Sequence, residues 1–176
     1  MNNKINLELK YFCSDFVPVR KILKEIGAKK VGIFNQKDYF FNLPKTNSKI
    51  KPRLKLRIQK DKQTLIYYKR ADFSSDKATP SEISLFAVKG NPPLPFLQKI
   101  LGVKAIVFKK RELWKKGYTV FNLDEVNSIG KIFEIELTSH GNEKEEEKIF
   151  EAYRDDFLSL LQKIIKGSNL DLVLKK

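Results

Sequence analysis

The sequence predicts an α+β fold in which antiparallel strands make up most of the chain and a few helices pack against them. Three observations lead to this prediction. Apolar and polar residues alternate in eight segments, short turn sequences separate many of these segments, and only three stretches have the spacing of a helix. With 176 residues, of which 41% are hydrophobic, the chain suffices for one well-packed core. We therefore expect a single domain that spans residues 1–176.

The predicted strands alternate in a way that places every second side chain on the same face. They span 5–11, 29–43, 52–59, 63–70, 81–88, 104–114, 118–126 and 131–138. Short polar connections at 60–62 and 115–117 join neighbouring strands and are typical of β-hairpins. Sequential antiparallel pairing is therefore the simplest topology.

Three segments have the apolar spacing and the terminal residues of helices. The first spans 15–26 and the second spans 94–101, and a glycine follows each of them. The third runs from Asn142 to about Lys166, with Asn142 as its N-cap. Its acidic first turn, at 143–147, complements the helix dipole, so we interpret this run as part of the helix rather than as a metal site.

The chain is strongly basic, with 35 Lys and Arg against 21 Asp and Glu and a formal net charge of +14. Such a balance indicates an anionic partner, although a lysine-rich composition without any function would give the same sign. Residues 121–176 carry more acidic than basic side chains. The positive charge therefore belongs to particular strands in the earlier part of the chain.

The sequence lacks the signatures of several functional classes. The single cysteine, Cys13, excludes an internal disulfide and a cysteine-type zinc cluster, and the single histidine, His140, excludes a multi-histidine metal site. The sequence has neither a P-loop nor a dinucleotide-binding glycine motif. No apolar run has the length of a membrane span, and the N-terminal MNNKINLELK lacks the apolar segment of a signal peptide. We therefore expect a cytoplasmic protein without a membrane partner.

Ionisable side chains share one face on five of the predicted strands. These are Glu8 with Lys10, Arg53 with Lys55 and Arg57, Lys69, Lys109 with Arg111, and Glu134 with Glu136. A solvated polar face is the simpler interpretation of any single strand, because antiparallel sheets normally have one. The set as a whole is less ordinary, since its carboxylates are confined to the first and last strands and cations dominate the strands between them.

This distribution of charge has a chemical interpretation. Carboxylate oxygens hold Mg²⁺ or Mn²⁺, and Lys and Arg side chains neutralise phosphate oxygens. The two groups side by side therefore describe a site for a metal and a polyphosphate. If the sheet closes into a barrel, the charged face becomes its lumen, and helices must cover the apolar face outside.

Seven segments together resemble those of CYTH proteins, the triphosphate tunnel metalloenzymes. In chain order they are NLELK at 6–10, KDYFF at 37–41, RLKLRI at 53–58, LIYYKR at 65–70, FKKREL at 108–113, LDEV at 123–126 and IGKIFEIEL at 129–137. The closing SNLDLVL at 168–174 is similar to the C-terminal segment of the class IV adenylate cyclase-like branch. The resemblance spans nearly the whole chain. It implies an eight-stranded antiparallel β-barrel, the triphosphate tunnel, with helices packed outside.

The resemblance also implies roles for individual residues. Glu8, Glu134 and Glu136 match the family's ligands for a divalent cation, Mg²⁺ or Mn²⁺. The positions that bind the triphosphate and promote its reaction are matched by Lys10, Arg57, Lys69, Lys109 and Arg111. Lys55 is a further candidate for substrate binding, and the position of Arg53 is left open. Asp124 matches a catalytic acidic residue that orients a lysine or an arginine.

The chain departs from the family pattern at a few positions. Asn6 stands where many members have the first glutamate of the N-terminal motif, which removes a negative charge from the metal site and predicts weaker or single-metal binding. The cyclase-like branch often has asparagine there. Val120 and Asn122 stand where that branch tends to have an arginine and a histidine, and the segment around Glu82 lacks an arginine that many members carry.

The resemblance implies a metal-dependent enzyme that processes a triphosphate, and the branch favours an adenylate cyclase that converts ATP to cyclic AMP and pyrophosphate. An inorganic or organic triphosphatase is the alternative, since nearly the same tunnel performs either reaction. A third interpretation is a non-catalytic module that binds polyphosphate or a nucleotide. An RNA-binding protein would need exposed aromatics on an open face, and no such signature is present. Related proteins often pair, so a homodimer is a further candidate.

Overall fold

The computed structural model describes residues 2–44, 50–71 and 79–175. Its eight strands are β1 (Asn2–Phe12), β2 (Lys29–Phe41), β3 (Ile50–Gln59), β4 (Lys62–Ala71), β5 (Thr79–Val88), β6 (Val103–Lys116), β7 (Thr119–Val126) and β8 (Gly130–Thr138). They form a closed barrel in the order β1-β5-β4-β3-β2-β6-β7-β8, and every neighbouring pair is antiparallel. The predicted α+β class and the eight-stranded antiparallel barrel are confirmed.

The first strand closes the barrel because it has a partner on each edge. Its residues from Asn2 to Glu8 pair with β5, and its residues from Asn6 to Phe12 pair with β8. Successive side chains of a strand point to opposite faces, so in a closed sheet they alternate between the lumen and the outside. The alternation in the sequence therefore becomes a charged inside and an apolar outside over much of the barrel.

Within the described residues, four helices accompany the barrel: α1 (Val17–Glu25), α2 (Leu94–Leu101), α3 (Glu143–Phe157) and α4 (Asn169–Leu174), and a 3₁₀ turn (Leu158–Leu160) follows α3. The first two lie within the predicted ranges. Asn142 caps α3 as expected, since its side chain accepts a hydrogen bond from the Glu145 backbone N–H at 3.4 Å. None of the described helices is long and apolar enough to cross a membrane.

The prediction that the third helix continues to about Lys166 is wrong, because the chain after the 3₁₀ turn pairs with the end of β1. The backbone N–H of Gln162 donates to the carbonyl of Phe12 at 3.0 Å, and the N–H of Ile165 donates to the carbonyl of Lys10 at 2.8 Å. These bonds satisfy backbone groups that would otherwise bond within a helix. The C-terminal segment thus runs beside the barrel before α4 begins.

The apolar core lies mostly outside the barrel wall. Helices α1 and α3 pack on β1, β6, β7 and β8 through Leu9, Tyr11, Phe16, Val19, Leu23, Trp114, Phe121, Leu123, Phe133, Ile135, Leu137, Phe150 and Phe157. Helix α2 covers Tyr39, Phe41 and Leu56 with its own Leu94, Leu97 and Leu101. Burial of these side chains is the main source of stability, and it leaves the lumen free for polar groups.

A third apolar cluster joins the C-terminal segment to the inside of the barrel. Ile165 and Leu170 pack with side chains that include Phe40, Ile66 and Tyr68. An ion pair of 2.8 Å between Arg53 and Asp171 fastens α4 to β3, and Ser168 and Asp171 form a capping box at the start of α4. The SNLDLVL motif therefore anchors the chain terminus to the barrel.

Glu112 is a buried carboxylate on the outside of β6, and we expect its removal to destabilise the fold. It accepts hydrogen bonds from Arg20 of α1 at 2.9 Å and from the indole N–H of Trp114 at 2.9 Å, and these donors hold its pKa down at about 2 against the effect of burial. Glu112→Ala should lower the free energy of unfolding by about 2 kcal/mol, because the Trp114 donor loses its acceptor. Urea denaturation measures this difference.

Glu25 provides the control for that measurement. Its carboxylate is exposed at the end of α1 and lies 3.9 Å from Lys21, so Glu25→Ala should change stability by less than about 0.5 kcal/mol. Equal destabilisation by the two substitutions would show that Glu112 does not fasten α1 to the barrel.

Candidate functional site

The lumen contains a cavity of about 200 Å³ that is lined mainly by charged side chains on one side and apolar side chains on the other. The lining residues are Lys4, Asn6, Glu8, Lys10, Phe40, Lys55, Arg57, Ile66, Tyr68, Arg70, Ile83, Leu85, Lys109, Arg111, Glu134, Glu136, Ser168 and Asn169. Every strand except β7 contributes to this lining, and α4 contributes its first residues.

One group of cations is held by Asp38 on β2. Lys55 and Arg57 lie two residues apart on β3 and therefore point the same way. The carboxylate of Asp38 accepts from Lys55 Nζ at 2.8 Å and from Arg57 Nε and Nη2 at 2.7 and 2.8 Å. The two-point contact fixes the plane of the guanidinium group, so Arg57 is oriented before any ligand arrives.

A second group repeats this arrangement with Asp124 on β7. Lys109 and Arg111 lie two residues apart on β6, and Asp124 accepts from Lys109 Nζ at 2.8 Å and from Arg111 Nε and Nη2 at 2.6 Å each. All three side chains are buried, as is Asp38. The barrel thus contains two units of the same design, each with one aspartate behind a lysine and an arginine.

The positive charge of these units is only partly compensated. Burial and the neighbouring Arg57 together lower the pKa of Lys55 to about 7, although Asp38 opposes the shift. Burial and Arg111 likewise lower the pKa of Lys109, with Asp124 acting against them. An anion bound beside a lysine with a lowered pKa would stabilise the charged ammonium and raise the pKa toward its ordinary value. The cavity is therefore prepared for a negatively charged ligand.

The carboxylates of β1 and β8 form the other part of the charged wall. The ammonium of Lys10 lies between Glu8, whose Oε2 is 2.9 Å away, and Glu134, with which it also forms an ion pair. Arg70 Nη1 donates to Glu8 at 3.0 Å, and Arg111 Nη2 donates to Glu134 at 2.8 Å. Burial opposes the charge on Lys10, but Glu134 and Glu8 outweigh it and raise the lysine pKa.

Glu136 is the carboxylate of this wall with the least compensation. Burial, together with repulsion from Glu134 and Glu8, raises its pKa to about 7, although Arg111 and Lys10 oppose the shift. The amide of Asn122 donates to Glu136 at 3.2 Å and to Glu134 at 3.3 Å, so it bridges the two carboxylates without adding positive charge. A cation placed beside Glu136 would remove this repulsion.

These carboxylates have the donor chemistry for a divalent cation. In the described ranges no group of three or more His, Cys, Asp or Glu side chains is arranged to hold a metal ion. Mg²⁺, however, commonly takes one or two carboxylates and completes its shell with water and substrate phosphates. The hard oxygen atoms of Glu134 and Glu136, together with the weakly compensated charge of Glu136, fit this mode of binding.

Because Glu136 is held at a raised pKa, we expect Glu136→Gln to stabilise the protein above neutral pH. A folded-state pKa of about 7, compared with 4.5 when the group is unperturbed, means that stability is lost as the pH rises from 4.5 through 7. The neutral variant avoids this loss and should be more stable by on the order of 1–2 kcal/mol at about pH 8. Thermal unfolding at about pH 5 and pH 8 measures the difference.

Glu125→Gln is the matched control, since Glu125 is exposed on β7 outside the lumen. Removal of this solvent-screened charge should change the stability by less than about 0.5 kcal/mol at either pH. If Glu136→Gln instead destabilised the protein at both pH values, Glu136 would act as an ordinary structural partner.

The structure brings together nine of the predicted site residues. Eight of them line the cavity, namely Glu8, Lys10, Lys55, Arg57, Lys109, Arg111, Glu134 and Glu136. Asp124 lies directly behind Lys109 and Arg111. The prediction that Lys69 faces the lumen is wrong: Lys69 is exposed outside the barrel, and the adjacent Arg70 is buried inside. Arg53, left open by the sequence, is buried and pairs with Asp171.

Several residues that complete the site are not predicted by the sequence pattern. Arg70 donates to Glu8, a predicted metal ligand, and Asp38 accepts from the predicted cations Lys55 and Arg57. Lys4 lines the cavity near the start of β1. Asn122 was noted only as a departure, yet it contacts both carboxylates of β8. The KDYFF motif offered a signal for Asp38, because a charged residue precedes three aromatic ones in a strand.

Asn6, the replacement for a family glutamate, is buried at the edge of the cavity. Its amide hydrogen-bonds with the hydroxyl of Thr138 at 3.2 Å. The position thus lies on the cavity side of β1 together with Glu8, as the alternation of β1 predicts.

Comparison of the sequence with models of protein families identifies the family of this chain. The CYTH domain model matches residues 4–168 of the sequence, and the chain belongs to the CYTH family. The comparison with curated proteins found no match.

Solved structures share the fold at low sequence identity. The PH1012 protein from Pyrococcus horikoshii OT3 is 22% identical with a TM-score of 0.76, and the match covers 95% of this chain and 98% of that one. A candidate adenylate cyclase from Vibrio parahaemolyticus is 14% identical with a TM-score of 0.72, covering 98% and 99%. A Hippeastrum protein, named as a candidate adenylyl cyclase and described as having a dominant triphosphatase activity, is 12% identical with a TM-score of 0.64, covering 98% and 95%.

Proposed function

We propose that the protein binds a triphosphate in the lumen and acts on it with a divalent cation, Mg²⁺ or Mn²⁺. The observation that carries this proposal is the pair of aspartate-held units, in which Lys55 with Arg57 and Lys109 with Arg111 line the same cavity as a group of glutamates. A polyphosphate chain presents several anionic groups in a row, so it matches several cations around one cavity. A single small anion would leave most of them unused.

The cations contribute by orientation and charge. Because Asp38 and Asp124 fix the two guanidinium groups, the donors are aligned before the ligand binds and need little rearrangement during the reaction. Lys10 and Arg70 join this set from β1 and β4. When bound by Glu8, Glu134 and Glu136, the metal would neutralise and polarise the phosphoryl group.

The attacking group decides which activity follows. We favour the adenylate cyclase reaction, in which the ribose 3′-hydroxyl oxygen bonds to the α-phosphorus and pyrophosphate leaves, because NLELK and SNLDLVL resemble the cyclase-like branch. The second candidate is a triphosphatase, in which water attacks the terminal phosphorus, the diphosphate (ADP from ATP, pyrophosphate from tripolyphosphate) leaves, and the transferred phosphoryl group is released as inorganic phosphate. The Hippeastrum protein supports keeping it, since its description joins a cyclase name to triphosphatase activity in the same fold.

Product analysis separates the candidates. Purified protein is incubated with ATP or inorganic tripolyphosphate and Mg²⁺ or Mn²⁺, and cyclic AMP, ADP, pyrophosphate and phosphate are resolved by chromatography. We expect cyclic AMP and pyrophosphate from ATP. ADP and phosphate would identify the triphosphatase, and binding without any product would identify a non-catalytic module for polyphosphate or nucleotide.

Three further predictions belong to this proposal. The family match over 4–168 supports a single CYTH domain over residues 1–176. A cytoplasmic location and a homodimer stay predictions, which fractionation of cells and sedimentation of the purified protein would test.

A further inference from the structure

The charged wall of the cavity faces an apolar one. The side chains on this second wall come from β2, β4 and β5 and are Phe40, Ile66, Tyr68, Ile83 and Leu85. Within it, Ile66 pairs with Leu85 and Tyr68 pairs with Ile83 across the β4–β5 ladder. The four therefore form a continuous patch, which we call the β4–β5 wall.

The β4–β5 wall is accessible from the cavity. Ile83 and Leu85 are only partly buried, whereas Ile66 and Tyr68 are buried with about a tenth of their surface exposed. A triphosphate chain carries no apolar surface, so contact with it would give these side chains no hydrophobic stabilisation. An organic group in the same place would remove their apolar area from water. Part of the wall packs against Ile165 and Leu170 of the C-terminal segment, and the surface of Ile83 and Leu85 that stays exposed in the cavity suits an organic group.

The two walls meet at Lys55. Its ammonium lies 5.3 Å from the ring centre of Phe40 and 5.8 Å from that of Tyr68, so it contacts aromatic faces as well as Asp38. A phosphate neutralised by Lys55 therefore lies next to aromatic side chains. This juxtaposition suits a molecule in which an anionic chain continues into an apolar or aromatic group.

We infer that the β4–β5 wall binds the organic group of an organic triphosphate, such as a nucleoside triphosphate, and so selects it over inorganic tripolyphosphate. This inference rests on the proposed function, because the phosphate chain must first bind to the cations of the lumen. The specificity-determining residues are Ile83 and Leu85, whose side chains retain exposed apolar surface in the cavity.

Calorimetric titration of two ligands tests the inference. ATP and inorganic tripolyphosphate are titrated in EDTA, which keeps the metal out and prevents metal-dependent turnover. Ile83→Ala and Leu85→Ala should each weaken ATP binding by about fivefold and leave tripolyphosphate binding within about twofold. Phe86→Ala is the matched control. Phe86 follows Leu85 on β5, and its side chain is 54% exposed and points away from the lumen. The substitution should therefore change neither affinity.

A second variant keeps the test independent of folding. Leu85→Lys replaces apolar surface with a positive charge, so it should strengthen tripolyphosphate binding and weaken ATP binding. Unfolding cannot produce changes of opposite sign. Equal effects on the two ligands, or no effect on ATP, would overturn the role of the wall while leaving the proposed function intact. Failure of the unmodified protein to bind either ligand, both in EDTA and after Mg²⁺ is added, would overturn both.

Discussion

Replacing Arg111 with alanine should weaken the binding of inorganic tripolyphosphate at least tenfold, equivalent to about 1.4 kcal/mol. Arg111 is buried and donates to Asp124 at 2.6 Å and to Glu134 at 2.8 Å. Its loss removes a phosphate donor and leaves two carboxylates whose repulsion acts on any anionic ligand. Calorimetry at constant ionic strength measures the change.

The adjacent Lys110 supplies the matched control, since it is exposed on the outside of the same strand. Lys110→Ala removes the same formal charge and should change the affinity less than twofold, because solvent and salt screen surface charges. Lys175→Ala, near the chain terminus, should behave in the same way. If all three variants weakened binding equally, general attraction by the net charge would replace the idea of a formed site.

Glu134→Gln and Glu136→Gln should each abolish metal-dependent turnover while preserving the fold. Each substitution keeps the shape of the side chain and removes one negative charge, and the number of carboxylates governs how strongly a hard dication is held. Both residues line the cavity, and Glu134 is almost fully buried. Assays of product formation with Mn²⁺ and Mg²⁺ test the loss, and circular dichroism tests the fold.

Asn6→Glu extends this test in the opposite direction. The substitution restores the glutamate of the wider family beside Glu8 and should tighten the binding of Mn²⁺. Higher activity would indicate that Asn6 impairs the metal site. Unchanged or lower activity would indicate that asparagine is a functional residue of the cyclase-like branch. Turnover that survives both Glu134→Gln and chelation of the metal would falsify the metalloenzyme mechanism.

The strands could be predicted from the sequence because successive side chains of a strand alternate between the two faces of the barrel wall. An alternating strand must place its polar side chains on one face and its apolar side chains on the other, which is why Glu134 and Glu136 could be assigned to the lumen. The assignment failed for Lys69 in the segment LIYYKR. There both faces carry apolar or aromatic residues, so alternation does not show whether Lys69 or Arg70 points inward.

Partners that come from distant parts of the chain could not be predicted in this way. The two Lys-x-Arg sequences are visible at 55–57 and 109–111, but nothing local shows that Asp38 would hold the first of them. The end of α3 is a similar case. Apolar spacing continues beyond Phe157, and the competing hydrogen bonds come from β1, about 150 positions earlier in the sequence.

The closure of the barrel between β1 and β8 has a consequence for how activity arises during folding. Glu8 and Lys10 lie on one side of this seam and Glu136 and Glu134 lie opposite them. Pairing of such distant segments is slow, because a long loop must be closed before the contacts form. The proposed metal ligands Glu8, Glu134 and Glu136 therefore come together only when the ring is complete. A ribosome-bound chain that has not yet exposed β8 already contains both cation units but lacks Glu134 and Glu136, so under the proposed function we expect nascent and partly folded forms to be inactive.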